Sequence, residues 1–137
     1  MRDVQVTVET IAGRPRASSG SPWEPVVGYC RAVRSGNLIT VSGTVGLNDD
    51  QTYPPTAGEQ ARRALAIIGA AIEALGGRLE HVVRTRMFVT DIATSGEVGR
   101  AHGEVFGAIR PATSMIEVSA LIDPAALVEI EADAVVP

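Results

Sequence analysis

The stretch Leu127-Val128-Glu129-Ile130-Glu131-Ala132-Asp133-Ala134-Val135-Val136 decides the fold. Val128, Ile130, Ala132 and Ala134 point one way along an extended chain, and Glu129, Glu131 and Asp133 point the other. Such a strand belongs to a sheet with one packed face and one polar face. Working outward, Thr113 to Ser119 reads as the preceding strand, with Asp123-Pro124 as the turn between the two. His81 to Asp91 reads as a long strand, with Val83, Met87 and Val89 opposite Arg84 and Arg86. In the 113–119 strand, Ile116 and Val118 are expected to face the core, leaving Thr113, Met115 and Glu117 outside.

Two segments carry the helical period. Thr56 and Glu59 form a capping box, followed by an apolar stripe of Ala61, Ala64, Leu65, Ile68, Ala71, Ile72 and Leu75 that Gly76-Gly77 ends. Thr94 and Glu97 form a second capping box before Val98, Ala101, Val105 and Ile109, and Pro111 prevents continuation. Upstream, Val4 to Glu9 alternates as a short strand. Tyr29 to Arg34 and Leu38 to Gly43 form a hairpin around Ser35-Gly36-Asn37. Gly13 to Gly28, with Pro15, Pro22 and Pro25 around the single tryptophan Trp23, reads as a long Pro/Ser-rich loop.

The resulting order is β-β-β-α-β-α-β-β, an α+β domain spanning 1–137. Two helices cannot cover both faces of a six-stranded sheet, so both are placed on one face. The uncovered face then carries Arg84, Arg86, Glu117, Glu129 and Glu131 together with Phe88 and Met115. Large apolar groups mixed with ionic pairs suit a subunit interface better than open water.

Composition narrows the function. The chain has 137 residues, 45% hydrophobic and 20% charged, with a formal net charge of −4. This is globular composition, and the acidic balance with few aromatics argues against nucleic-acid binding. All basic residues are arginine, which removes lysine Schiff-base and P-loop chemistry. One cysteine, Cys30, excludes an internal disulfide. No apolar run reaches the ~18–20 residues a membrane span needs, and the opening Met1 to Thr7 does not resemble a signal peptide. The expectation is a cytoplasmic protein with no membrane role.

Metal and cofactor motifs are not found. His81 and His102 are isolated, His102 lying on a helix stripe as a core residue. Asn48-Asp49-Asp50 reads as a turn, without the spacing or glycine of a calcium loop. What remains is a set of residues at strand ends: Tyr29, Ser42-Gly43, Thr113-Ser114 and Glu129. An aromatic wall, hydroxyls and one carboxylate suit a small ligand carrying a donor or a positive charge.

Five segments, taken together and in order, resemble the Rid family (YjgF-like, reactive intermediate deaminases). They are Gly28-Tyr29, Gly36 to Gly43, Met87-Phe88-Val89-Thr90-Asp91, Pro111-Ala112-Thr113-Ser114-Met115-Ile116-Glu117-Val118 and Leu127 to Ala132. The resemblance implies a chorismate-mutase-like (YjgF-like) fold with a six-stranded mixed sheet. It also implies a homotrimer with a small-molecule cleft between subunits; no cofactor and no metal are expected. The activity it implies is hydrolysis of imines and enamines to 2-keto acids and ammonia.

By the same resemblance Glu129 is the catalytic residue that positions water, and Tyr29 and Ser42 line the cleft. The family's carboxylate-clamping arginine falls on Thr113, the small residue two positions later on Met115, and a helix asparagine near Gly99. Losing a bidentate arginine removes roughly 1.5–3 kcal/mol of charge-assisted binding. Three readings follow. The first is a trimer that binds a neutral or cationic metabolite and lacks the standard deaminase activity. The second is an active deaminase (a hydrolase) with a cation relocated to Arg110, Arg31 or Arg86. The third is a non-catalytic regulatory or binding protein.

Overall fold

The computed structural model describes residues 4–137, so the first three positions of the opening segment lie outside it. Seven strands form one mixed sheet: β1 (Thr7–Ile11), β2 (Arg14–Ser18), β3 (Ala32–Ser35), β4 (Leu38–Val45), β5 (Val82–Val89), β6 (Ala112–Glu117) and β7 (Val128–Val135). Their order across the sheet is β1-β2-β3-β4-β7-β5-β6. Only β5 and β6 pair in parallel; the other neighbours are antiparallel. Three helices accompany them: α1 (Trp23–Val27), α2 (Ala57–Ala74) and α3 (Ser95–Phe106). No helix among the described residues is long and apolar enough to cross a membrane.

The α+β architecture expected from the sequence is present, but the described residues form seven strands and three α-helices rather than six and two. The additional elements lie in the 13–28 segment expected to be loop. Residues of β2 (Arg-Pro-Arg-Ala-Ser) show no alternation, yet they pair along their full length with β1 across a tight turn. Ala12 and Gly13 adopt φ of 52° and 77° there, the left-handed pair that matches strand twist in a two-residue hairpin. The five-residue α1 is too short to show a period.

The apolar stripe of α2 is buried along its length, from Ala61 to Leu75. Thr56 accepts a hydrogen bond from the Glu59 N–H at 3.2 Å, and Gly76 at φ 85° ends the helix. Both α2 and α3 pack on the face formed by Ile39, Val41, Met87, Val89, Val128, Ile130, Ala132 and Ala134. The β7 alternation is therefore as expected. The capping box of α3 is not. A short 3-10 turn (Ile92–Thr94) precedes this helix, and Asp91 caps it by accepting from the Ala93 N–H at 2.9 Å. Glu97 is drawn instead to the Gly58 N–H of α2 at 3.1 Å.

Two strand faces are corrected. In β5 a register irregularity between Val82 and Arg84 turns Val82 inward and leaves Val83 49% exposed. The rest of the strand buries Thr85, Met87 and Val89. In β6 the sides are reversed along the whole strand. Parallel pairing sets Thr113 beside Thr85 and Met115 beside Met87, on the helix side. Met115 packs against the core, whereas Ile116 is 49% exposed on the open side. Ser114 receives a hydrogen bond from Arg84 at 3.1 Å on that open side. Both parities of β6 carry an apolar residue, so its own pattern does not fix the face; register with β5 does. Glu117 accepts from the Ile92 N–H at 3.0 Å at the same strand's end.

Candidate functional site

Beside the segment 19–31, β4 and the start of β7 lies a cavity of about 580 Å³, within the range of small-molecule sites. Tyr29, Ser42 and Glu129 all line it. Thr113 and Met115 do not: they sit on the edge strand, on the opposite side of the sheet. The structure thus brings three of the five expected site residues together within one chain.

Local folding positions each of the three. The β4–β7 pairing shifts register between Val41 and Thr44, a bulge that re-aims the strand at Ser42 and Gly43. The Ser42 hydroxyl donates to the Cys30 carbonyl at 2.7 Å, leaving its lone pairs as acceptors. Glu129 lies across the space that a side chain at position 43 would fill. A Cβ there would stand 2.6 Å from Glu129 Oε2 and 2.8 Å from its Cδ. Burial raises the Glu129 pKa above the usual carboxylate range, the Glu131 charge adds to this, and the Arg31 cation opposes both. Such a carboxyl exchanges protons nearer to neutrality than a free glutamate, which suits a general acid–base role.

Arg31, expected only as a candidate replacement cation, forms the back of this wall. It is 5% exposed. Its Nη1 donates to the Gly43 carbonyl at 2.7 Å and to Thr44 Oγ1 at 3.2 Å, Nε to Ser19 Oγ at 3.2 Å, and Nη2 to the Tyr29 hydroxyl at 3.3 Å. The guanidinium lies 5.4 Å from the Tyr29 ring centroid and 3.7 Å from the Glu24 carboxylate. Glu24 in turn accepts from Ser18 Oγ at 2.8 Å and Ser19 Oγ at 3.1 Å. Glu24 and Arg31 thereby dock the 18–28 segment on the sheet and bring Trp23 to the cavity, where it remains 49% exposed.

Two further cavity residues escaped the sequence reading. The Tyr53 pKa is pushed up to about 12, first by burial and then by the neighbouring Asp123 and Glu129 carboxylates. Tyr53 and Asp123 sit in loops whose composition signalled turns only. Gln60 holds those loops: its Nε2 donates to the Pro54 and Ala125 carbonyls at 3.0 and 3.1 Å, and its Oε1 accepts from the Leu127 N–H at 2.8 Å.

The candidate replacement cations already have partners. Arg31 is bonded as described. Arg86 bonds to Asp133 at 3.2 Å and approaches Glu131 at 3.6 Å on the open face. Arg110, at φ 56°, is exposed and donates to the Gly107 carbonyl at 3.3 Å. Thr113 itself accepts a hydrogen bond from Thr85 at 2.7 Å, and Thr85 bonds the buried His102 ring at 2.8 Å. Burial lowers the His102 pKa, in keeping with its expected place in the core. Gly99 on α3 supplies no side chain.

Gly43→Ala provides a direct check on how Glu129 is held. The added methyl meets the mobile end of a side chain, so stability should change by no more than about 1 kcal/mol. Displacing the carboxylate should weaken ligand binding by about tenfold or more, the equivalent of one charge-assisted hydrogen bond. Unchanged affinity in a calorimetric titration would show that Glu129 need not occupy this position.

Among proteins of known sequence and structure, a family model described as endoribonuclease L-PSP matches residues 20–136. The chain is 37% identical over 122 residues to an uncharacterized protein of Streptomyces coelicolor, spanning 87% of this chain and 90% of that one. It is 32% identical over 113 residues to the 3-aminoacrylate deaminase RutC of Acinetobacter baylyi, spanning 81% and 88%. A crystal structure of a YjgF/YER057c/UK114 family member from Mycobacterium tuberculosis matches with a TM-score of 0.84 and 51% identity, covering 90% of this chain and 99% of that one.

Proposed function

The chain belongs to the YjgF/RidA/RutC (Rid) family, and we propose that it is a homotrimer binding a small neutral or cationic metabolite in clefts between subunits, without the 2-imino-acid deaminase activity that a carboxylate clamp confers. The observation that carries this reading is Thr113. At the family's arginine position stands a neutral hydroxyl already engaged by Thr85 at 2.7 Å. A hydroxyl offers one neutral hydrogen bond where a guanidinium would offer two charged ones. Glu129, without a free cation facing it, repels an anionic substrate.

The assembly is supported by the faces of the sheet. Within one chain Glu129 and Thr113 lie on opposite sides and two strands apart. A site that uses both needs a second copy. The open face also retains the Arg86, Glu131 and Asp133 cluster beside Phe88, whose partners are only partly buried.

Light scattering should give a particle of about three times 14.3 kDa. A ligand-observed NMR screen of amines, amides and carboxylates should return binders from the first two classes. Their signals should vanish in Glu129→Gln and Tyr29→Ala with the trimer intact. A stable monomer, or hits that persist in both variants, would overturn the assignment of this cleft.

A further inference from the structure

Charge balance around the cavity is uneven. Two cations line it, Arg31 and Arg63, and each has a carboxylate partner: Glu24 at 3.7 Å and Asp49 at 3.0 Å. Asp123 and Glu129 also line it and add two carboxylates beyond those pairs. Both carboxylates raise the pKa of Tyr53, after burial, which is the larger cause. The Ser42 oxygen adds acceptor capacity, because its proton is spent on the Cys30 carbonyl. The Tyr29 hydroxyl accepts from Arg31 and so keeps a proton to donate. Aromatic surface comes from Trp23, Tyr29 and Tyr53. Carboxylates beside aromatic faces attract a cation both by charge and by the ring quadrupole.

We propose that the cavity bounded by Trp23, Tyr29, Tyr53, Asp123 and Glu129 is a site for an organic cation, an ammonium group carried on a short carbon skeleton. This rests on the reading that the cleft binds a small molecule and narrows that ligand to one class. Glu129 and Asp123 receive the ammonium N–H groups, Ser42 accepts a further hydrogen bond, and the carbon skeleton lies against Trp23. A carboxylate of the same size is excluded by the same two acids.

The test uses three probes of similar shape on the assembled protein: n-butylammonium, 1-pentanol and pentanoate, each titrated by saturation-transfer NMR. The ammonium should bind at least tenfold more tightly than the alcohol, and pentanoate more weakly than either. Asp123→Asn keeps the oxygen that accepts from the Ala125 N–H at 2.9 Å, so the turn is preserved. This variant should weaken n-butylammonium binding three- to tenfold and leave 1-pentanol unchanged. Alcohol or carboxylate binding as tightly as the ammonium, or an Asp123→Asn variant with unaltered ammonium affinity, overturns the cation assignment while the cleft itself stands. Absence of binding by all three probes overturns both the cation assignment and the small-molecule cleft.

Discussion

Arg31→Ala is expected to lower the free energy of unfolding by about 3–5 kcal/mol, the cost of leaving a buried ionic partner uncompensated. Glu24 is the partner left behind; its side chain is 6% exposed. Four hydrogen bonds from the guanidinium disappear as well, including those to Gly43 and to the Tyr29 hydroxyl. Denaturant titration of the single variant should therefore show a large drop in midpoint. Glu24→Gln in the Arg31→Ala background removes the orphaned charge and should recover part of the loss. A single variant within about 1 kcal/mol of wild type, the range of an exposed ion pair, would mean that water reaches this pair freely.

Gln60→Leu should cost about 3 kcal/mol or more, because three backbone groups lose their partner at once and each orphaned group costs about 1–3 kcal/mol when water cannot replace the bond. The side chain is 1% exposed, and its amide joins Pro54, Ala125 and Leu127. Tyr53 lies next to the first of these and Asp123 close to the second, so the cavity wall should loosen together with the fold. Amide exchange at Leu127 is the local readout. Protection there equal to wild type would show that the loops hold without Gln60.

These two residues also show where sequence reading stops. The β7 alternation and the α2 stripe were legible because burial repeats with the period of the element. Gln60 interrupts the α2 stripe, and both it and Arg31 are polar side chains buried only because distant parts of the chain supply their partners. Likewise β2 and α1 are fixed by pairing with β1 and by the Glu24–Arg31 contact, and neither leaves a periodic trace. The reversed face of β6 has the same origin: its register comes from parallel pairing with β5, across an intervening helix. Tyr29, Ser42 and Glu129 stand out at strand ends, the family resemblance gives them roles, and all three line one cavity. Tyr53 and Asp123 lie in loops, where only the folded chain shows what they face.

With Thr113 in place of an arginine, the proposed cleft has no hold on a substrate carboxylate. Freshly generated 2-aminoacrylate, which tautomerises to the imino acid, tests this most directly when 2-keto acid formation is followed with and without the protein. The expected rate equals that of buffer, with a gain above buffer in Thr113→Arg. Saturable acceleration by the wild-type protein, abolished in Arg110→Ala, would contradict it by showing that the clamping cation had moved rather than disappeared.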